Sequence, residues 1–200
     1  MAGDATVAGD ANPAGNANAE REPPQWLETG DGDKRRRLAC LVEPGDGPPV
    51  VWLGGFRSDM RATKAEALAD WARANGRGFV RFDYAGHGES GDDFARWTLS
   101  DWRDDTLAVI AAHCRQPPVL VGSSMGGWIA LLVARHLLGT GFAPAGMVLI
   151  APAVDFSEEL MWAQMPDSIR ETIMRDGVWM RPSAYSPDPT PITRALIEDG

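Results

Sequence analysis

Val119-Leu-Val-Gly-Ser-Ser-Met-Gly-Gly-Trp-Ile129 is the most informative stretch of this chain. An apolar run meets a Gly-x-Ser-x-Gly pattern at Gly122, Ser124 and Gly126, and a second apolar run follows as far as Leu138. This order is typical of a strand, a tight turn and a helix that together expose a serine hydroxyl at the edge of a sheet. Glycine is expected on both sides of the serine because bulk would collide across so sharp a turn.

Strand patterns alternate with helix patterns on both sides of this stretch. Ser58 or Asp59 is expected to cap the first helix, and Asn75-Gly76 to end it. Ser100 or Asp101 is expected to cap the second helix. The predicted strands cover residues 34–42, 50–53, 79–82, the run before Ser124, and 147–151; the predicted helices cover 60–75, 100–114 and 125–138.

Most of these strands are apolar throughout, which predicts an α/β fold with a mostly parallel sheet and helices on both faces. Ligands of such sheets bind beyond the carboxyl ends of the strands, where the loops 54–59, 84–93 and 122–126 are expected to converge. Residues 155–185 break the alternation and are predicted to be a helical cap insertion. Its methionines and tryptophans suit either a deformable lid for an acyl chain or ordinary packing on the sheet.

Two hundred residues suffice for one domain, predicted here over residues 26–200. Residues 1–25 are mostly Ala, Gly, Asn, Asp and Pro and are predicted to be a disordered acidic tail. Residues 1–33 hold seven acids against Arg21 alone, and the whole chain has a net charge of −9, so no basic surface predicts nucleic-acid binding. Arg35, Arg36 and Arg37 are interpreted as a solvated charge run.

The cellular compartment is predicted from the lack of a targeting signal and from the pattern of the two cysteines. No apolar run is long enough to span a bilayer, and the N-terminal stretch resembles neither a secretion signal nor an arginine-rich mitochondrial presequence. The cytoplasm is therefore the default expectation. Cys40 and Cys114 are isolated thiols without metal spacing, so we expect reduced structural cysteines, no metal and no cofactor.

Ser124 is the candidate nucleophile, and two backbone groups are candidate oxyanion donors. The N–H of Met125 opens the helix after the serine. The N–H of Phe56 follows the Gly54-Gly55 pair, whose lack of side chains lets the backbone approach a carbonyl. The alternative interpretation is a tight turn without chemistry.

Three stretches together resemble the α/β-hydrolase fold: Leu53-Gly-Gly-Phe-Arg-Ser-Asp-Met60, Arg81-Phe-Asp-Tyr-Ala-Gly-His-Gly-Glu-Ser90 and Val121-Gly-Ser-Ser-Met-Gly-Gly-Trp128. The resemblance runs from about Glu43 to Gly200. The chain is similar in particular to the branch of this fold that includes palmitoyl-protein thioesterase and mycophenolic acid acyl-glucuronide esterase. The resemblance implies hydrolysis of carboxylic esters or thioesters through an acyl-enzyme, on small-molecule or acylated-protein substrates.

The chain departs from that family in its general base. The family orders its triad as serine, acid and histidine, with the last two near the C-terminus, so both are expected beyond Gly200. His136 lies twelve residues after Ser124 on the predicted helix, about 18 Å away. His113 precedes the strand that leads to Ser124 and is expected at the opposite edge of the sheet. His87 lies on a loop at the correct edge, but the resemblance makes it part of a loop motif rather than the base.

Other acidic and glycine-rich positions admit competing interpretations. Asp155 is either the triad acid, as in some relatives, or the cap of a following helix. Asp83 is expected to accept structural hydrogen bonds. Residues 86–91 fit Gly-x-Gly-x-x-Gly, but Asp92 and Asp93 would repel a pyrophosphate and no apolar helix opens there.

Two further expectations follow if the acid and the histidine of the triad lie beyond Gly200. A non-catalytic binding module that uses the same pocket is the alternative to an enzyme, whereas epoxide or haloalkane chemistry would need a carboxylate in place of Ser124. The strand over 147–151 is expected to form an open sheet edge, which predicts marginal stability or aggregation.

Overall fold

A six-stranded sheet forms the centre of the fold in the computed structural model, which describes residues 22–182 and 188–200. Its strand order is β1-β2-β4-β3-β5-β6. The last four strands in this order, from β4 to β6, run parallel, and β2 and β1 are each antiparallel to their inner neighbour. The predicted mostly parallel sheet is therefore confirmed. The strand bounds are β1 Gln25–Thr29, β2 Arg36–Glu43, β3 Asp46–Leu53, β4 Arg77–Phe82, β5 Val119–Ser123 and β6 Gly146–Ile150.

Helices cover both faces of the sheet, as the sequence predicts. Ala65, Ala69 and Ala72 of α1 pack on Trp52 at one face, and α2 and α3 belong to the larger core on the other. The small alanines let α1 lie close to the sheet, while α3 buries most of its side chains. The helix bounds are α1 Thr63–Ala74, α2 Leu99–His113, α3 Met125–Leu138, α4 Asp167–Asp176 and α5 Arg194–Asp199.

The predicted N-caps of the first two helices are wrong, although α2 begins one residue from its predicted start. The N-cap of α1 is Ala62, because Ser58 and Asp59 are used in the preceding loop, where the Ser58 N–H donates to Gly55 and Asp59 Oδ1 accepts from the Arg61 N–H. The N-cap of α2 is Thr98, which forms a capping box with Asp101. Asn75 closes α1 as predicted.

The segment after β6 is only partly helical. A helical turn over Phe156–Met161 and a shorter one over Trp162–Gln164 lead into α4, which is followed by an antiparallel hairpin of β7 Val178–Arg181 and β8 Thr190–Thr193. This hairpin is not among the elements predicted from the sequence. Asp155 stands at the N-cap position of the first turn, but its side chain makes no capping hydrogen bond, so the capping interpretation of that side chain is wrong.

The N-terminal region differs from its prediction at two points. Gln25 begins β1, a strand that the sequence analysis does not predict, while residues 1–21 of the expected tail lie outside the described residues. Arg36 is buried, whereas Arg35 and Arg37 are exposed, because side chains alternate between the two faces as β2 begins. Arg36 Nε lies 2.5 Å from Asp105 Oδ1 on α2, so the interpretation of a wholly solvated charge run is wrong.

The β6 edge is open within the described part of the chain, because β6 pairs with β5 on one side only. Met147, Val148 and Ile150 are 42%, 51% and 37% exposed on this uncharged strand. A flat apolar edge is a template for pairing with another chain.

We expect Val148→Lys to reduce self-association, measured by light scattering against protein concentration. Leu138→Lys is the matched control, since Leu138 is 68% exposed but lies on α3; an equal gain from both variants would contradict the edge explanation.

Candidate active site

Ser124 occupies a strained turn between β5 and α3. Its φ of 55° and ψ of −121° are unusual for a residue with a side chain, and it is exposed. Three backbone hydrogen bonds hold the turn: the Ser124 N–H donates to the Ile150 carbonyl at 3.0 Å, and the Ser124 carbonyl accepts from Gly127 at 2.9 Å and Ala153 at 3.1 Å. A strained residue fixed from several sides is typical of a functional position.

The glycines around this turn have a steric role. A Cβ on Gly126 would lie closer than 3.0 Å to the carbonyl oxygen of Leu53, at the end of β3. A Cβ on Gly122 would overlap the Gly126 carbonyl in the same way. Backbone atoms cannot move aside as a flexible side chain can. Glycine is therefore required at both positions of the Gly-x-Ser-x-Gly pattern, because β3, β5 and α3 lie in close contact there.

The loop that contains Gly55 and Phe56 lies directly beside the serine. A Cβ on Gly55 would be 3.4 Å from Ser124 Cβ and 4.0 Å from Ser124 Oγ. Among the described residues, the N–H groups of Phe56 and Met125 have no hydrogen-bond partner. Two unpaired backbone donors therefore belong to residues close to an exposed hydroxyl, since Met125 follows Ser124 directly and Phe56 lines the same cavity as Ser124. Unpaired N–H groups of this kind suit a developing negative charge on a substrate oxygen.

A cavity of about 300 Å³ lies beside Phe56 and Ser124. Its lining includes Thr63 and Lys64 at the start of α1, which are not among the predicted site residues. No local sequence signal marks them, because their place depends on where α1 begins. The lining residues are Trp52, Gly55, Phe56, Ser58, Ala62, Thr63, Lys64, Ser123 and Ser124.

His87 is buried and both of its ring nitrogens are engaged. Nδ1 lies 3.3 Å from the Ala85 carbonyl oxygen, and Nε2 accepts from the Arg57 N–H at 3.2 Å. Burial lowers the pKa of His87 to about 4, with a smaller contribution in the opposite direction from the bond to Ala85. A neutral ring with no free nitrogen cannot take a proton from Ser124, in agreement with the assignment of His87 to a loop motif.

The remaining candidates lie apart from the serine or bind the backbone. His113 lines a separate cavity with Gly45 and Gly78, and the exposed His136 lies near the C-terminal end of α3. Asp83 accepts from the Met60 N–H at 2.6 Å and the Glu89 N–H at 2.7 Å, as expected of a structural acceptor. Asp155 is exposed and makes no hydrogen bond with Ser124 within the described residues, although Ala153, two residues earlier, donates to the Ser124 carbonyl at 3.1 Å.

This combination of a mostly parallel sheet, a strained serine after β5 and an adjacent glycine loop defines the class of fold as an α/β hydrolase. The alpha/beta hydrolase family matches residues 44–199, and the chain belongs to that family. No helix in the described ranges is long and apolar enough to cross a membrane.

Relatives of known sequence include palmitoyl-protein thioesterase ABHD10, mitochondrial, of Bos taurus and of Homo sapiens. They are 34% and 33% identical over 149 residues, which cover 74% of this chain and 47% of each relative. The chain thus spans about half the length of these curated relatives.

Solved structures give the same family. A proposed hydrolase from Agrobacterium vitis S4 is 42% identical with a TM-score of 0.83, covering 88% of this chain and 70% of that one. Alpha/beta hydrolase domain-containing protein 10 from mouse is 27% identical with a TM-score of 0.70, covering 88% and 68%.

Proposed function

We propose that this chain carries the nucleophile half of a serine hydrolase that cleaves carboxylic esters or thioesters through an acyl-enzyme on Ser124. The observation that supports it most is the exposed hydroxyl at a fixed, strained turn, with unpaired N–H groups on Met125, the next residue, and on Phe56, which lines the same cavity. Membership of the alpha/beta hydrolase family supports the hydrolytic chemistry. The thioesterase name of the ABHD10 relatives supports a thioester substrate, on a small molecule or an acylated protein.

The reaction divides into two acyl transfers. Ser124 Oγ attacks the carbonyl carbon and loses its proton to a base, and the carbonyl oxygen becomes an oxyanion held by the N–H groups of Phe56 and Met125. The tetrahedral intermediate collapses, the alcohol or thiol leaves with a proton, and the acyl group stays on Ser124. Water then attacks the acyl-enzyme and releases the acid. Loss of one oxyanion donor costs about 10²–10³ in kcat in related chemistry.

The general base is the part of the reaction that the described residues do not supply. All three histidines lie within residues 22–182, and none of them makes a hydrogen bond with Ser124 there. We propose, by resemblance to the family, that an acid and a histidine beyond Gly200 complete the site. A serine without a base is a weak nucleophile, so we expect slow turnover by residues 1–200.

Added imidazole tests this proposal on the chain as it exists. The cavity beside Ser124 is large enough to admit imidazole, which can act as the missing base. We expect a fluorophosphonate to label the protein slowly, imidazole to raise the rate at least tenfold, and Ser124→Ala to abolish labelling. The matched control is Ser123→Ala, which removes a neighbouring cavity hydroxyl. Labelling that survives Ser124→Ala would contradict the proposal.

A non-catalytic binding module is the second candidate, and the absence of a histidine contact to Ser124 within the described residues favours it. The two candidates give different results with p-nitrophenyl esters. An enzyme releases p-nitrophenol at a rate that depends on Ser124, whereas a binding module holds an ester in the cavity and forms no adduct.

The cellular compartment is a separate proposal. The cytoplasm is the default expectation, while the mitochondrial location in the names of the ABHD10 relatives favours that organelle. An import assay with isolated mitochondria separates the two, because only imported protein becomes resistant to added protease.

A further inference from the structure

The loop that presents the Phe56 N–H has a backbone shape that its own sequence does not favour. The Ser58 N–H donates to the Gly55 carbonyl at 3.0 Å, so residues 55–58 form a β-turn. Arg57, the third residue of the turn, has a φ of 60°, while Phe56 is not among the positive-φ residues. This combination is a type II turn, in which glycine is the residue normally found where Arg57 stands.

One hydrogen bond opposes the natural relaxation of this turn. A type II turn becomes type I when the central peptide unit rotates, and here that unit joins Phe56 to Arg57. Its N–H donates to His87 Nε2 at 3.2 Å. Rotation would carry the N–H away from the ring, so the histidine holds the strained form.

The surroundings of His87 fix which nitrogen is available for that bond. The Ala85 carbonyl can only accept, so the Nδ1 atom beside it carries the proton and Nε2 keeps a lone pair. Trp102 Nε1 also donates to the Ala85 carbonyl at 3.0 Å, and Asp105 Oδ2 accepts from the Ala85 N–H at 2.9 Å. Residue 85 is therefore held from both sides, and the histidine ring is held with it.

Aromatic side chains enclose the contact and connect it to Phe56. The rings of Phe94 and Trp102 lie 5.0 and 5.1 Å from His87, and 5.2 and 6.1 Å from Phe56. Water is thus kept from the His87 ring, which is 3% exposed, and burial keeps this histidine neutral with a pKa lowered to about 4. A protonated ring would have no acceptor to offer to Arg57.

We infer that His87 is a positioning residue of the oxyanion site: it accepts the Arg57 N–H, anchors the strained turn over residues 55–58 so that it stays closed, and thereby keeps the Phe56 N–H directed toward Ser124. The inference rests on the proposed function, because it gives the turn a role in catalysis. The Phe56 N–H belongs to the same planar peptide unit as the Gly55 carbonyl, which accepts from the Ser58 N–H and closes the turn. A turn that is held closed therefore fixes the direction of the Phe56 N–H.

Three variants separate positioning from simple packing. His87→Phe keeps an aromatic ring among Phe94 and Trp102 but removes the acceptor. His87→Gln keeps an acceptor oxygen at a similar reach. His87→Phe combined with Arg57→Gly restores the turn by another route, since glycine adopts a positive φ without strain. His136→Phe makes the same chemical change on an exposed part of α3.

The first readout is nuclear magnetic resonance and needs no activity. Long-range ¹H–¹⁵N spectra should show the Nδ1–H tautomer of His87 at pH 6. The amide resonances of Phe56 and Arg57 should shift in His87→Phe and return toward their original positions when Arg57→Gly is added. An Nε2–H tautomer, or amide positions of both residues that do not change in His87→Phe, would overturn the inference.

The second readout is the rate of fluorophosphonate labelling at Ser124 with imidazole present. We expect His87→Phe to lower the maximal rate about 100-fold, the effect of losing one oxyanion donor, with little change in the probe concentration at half-maximal rate. His87→Gln and the double variant should recover at least tenfold, and His136→Phe should match the wild type. A rate unchanged in His87→Phe, or no recovery in the double variant, would overturn the inference; an unlabelled wild type that shows the expected tautomer would instead overturn the proposed function.

Discussion

Gly126→Ala is expected to destabilise the fold by at least about 4 kcal/mol and to leave little folded protein at 37 °C. The new Cβ would meet the carbonyl oxygen of Leu53 at less than 3.0 Å, between two backbone segments that cannot separate without breaking the contact of β3 with α3. Alanine raises helix propensity over glycine by about 1 kcal/mol, which acts in the opposite direction and is too small to offset the clash. Urea unfolding followed by circular dichroism measures the change.

Gly139→Ala is the matched control for this variant. Gly139 lies at the other end of α3 with a φ of −73°, and a Cβ there would only touch the His136 carbonyl at 3.4 Å. Its free energy of unfolding should stay within about 1 kcal/mol of the wild type. A similar unfolding midpoint for Gly126→Ala and Gly139→Ala would contradict the packing described for the serine turn.

Arg36→Met is expected to cost about 3–5 kcal/mol, because it leaves Asp105 buried without its partner. Asp105 is 0% exposed and Arg36 is 8% exposed, and Arg36 also lies 5.1 Å from the centre of the Trp97 ring. The loss should be visible as a lower urea midpoint with an unchanged slope. The double variant Arg36→Met with Asp105→Leu should recover part of it, since no buried charge then remains unpaired.

Arg37→Met tests whether this effect belongs to burial or to the loss of an arginine. Arg37 is exposed and lies over the Trp26 ring at 3.8 Å, so its replacement should cost about 1 kcal/mol or less. Equal costs at positions 36 and 37 would show that the ion pair with Asp105 contributes nothing specific.

The central layers of the fold could be predicted from sequence because their signals are local. β5, Ser124 and α3 follow one another without a gap, and the predicted helix over 125–138 has the observed bounds. The burial of Arg36 could not be predicted in this way, because its partner Asp105 lies 69 residues further along. The hairpin of β7 and β8 is missed for a related reason, since its two short strands lie eight residues apart and neither has a strong alternating pattern.

The candidate site also combines features that have local sequence signals with features that depend on distant residues. Gly-x-Ser-x-Gly predicts Ser124 as the nucleophile, and the order of strand and loop predicts Phe56 and Met125 as oxyanion donors, because each of these predictions needs only neighbouring residues. The environment of His87 depends on the N–H of Arg57, 30 residues earlier, and on a ring orientation fixed by Ala85. Sequence reasoning could place His87 at the correct edge of the sheet but could not show that both of its nitrogens are occupied.

The most direct test of the central claim is to locate the covalent adduct after reaction with a fluorophosphonate and imidazole. Proteolysis and tandem mass spectrometry should place the phosphonyl group on Ser124, with unmodified Ser123 in the same peptide. An adduct on Ser123 or on a residue outside the 119–129 stretch, or no adduct on a folded protein, would contradict the account.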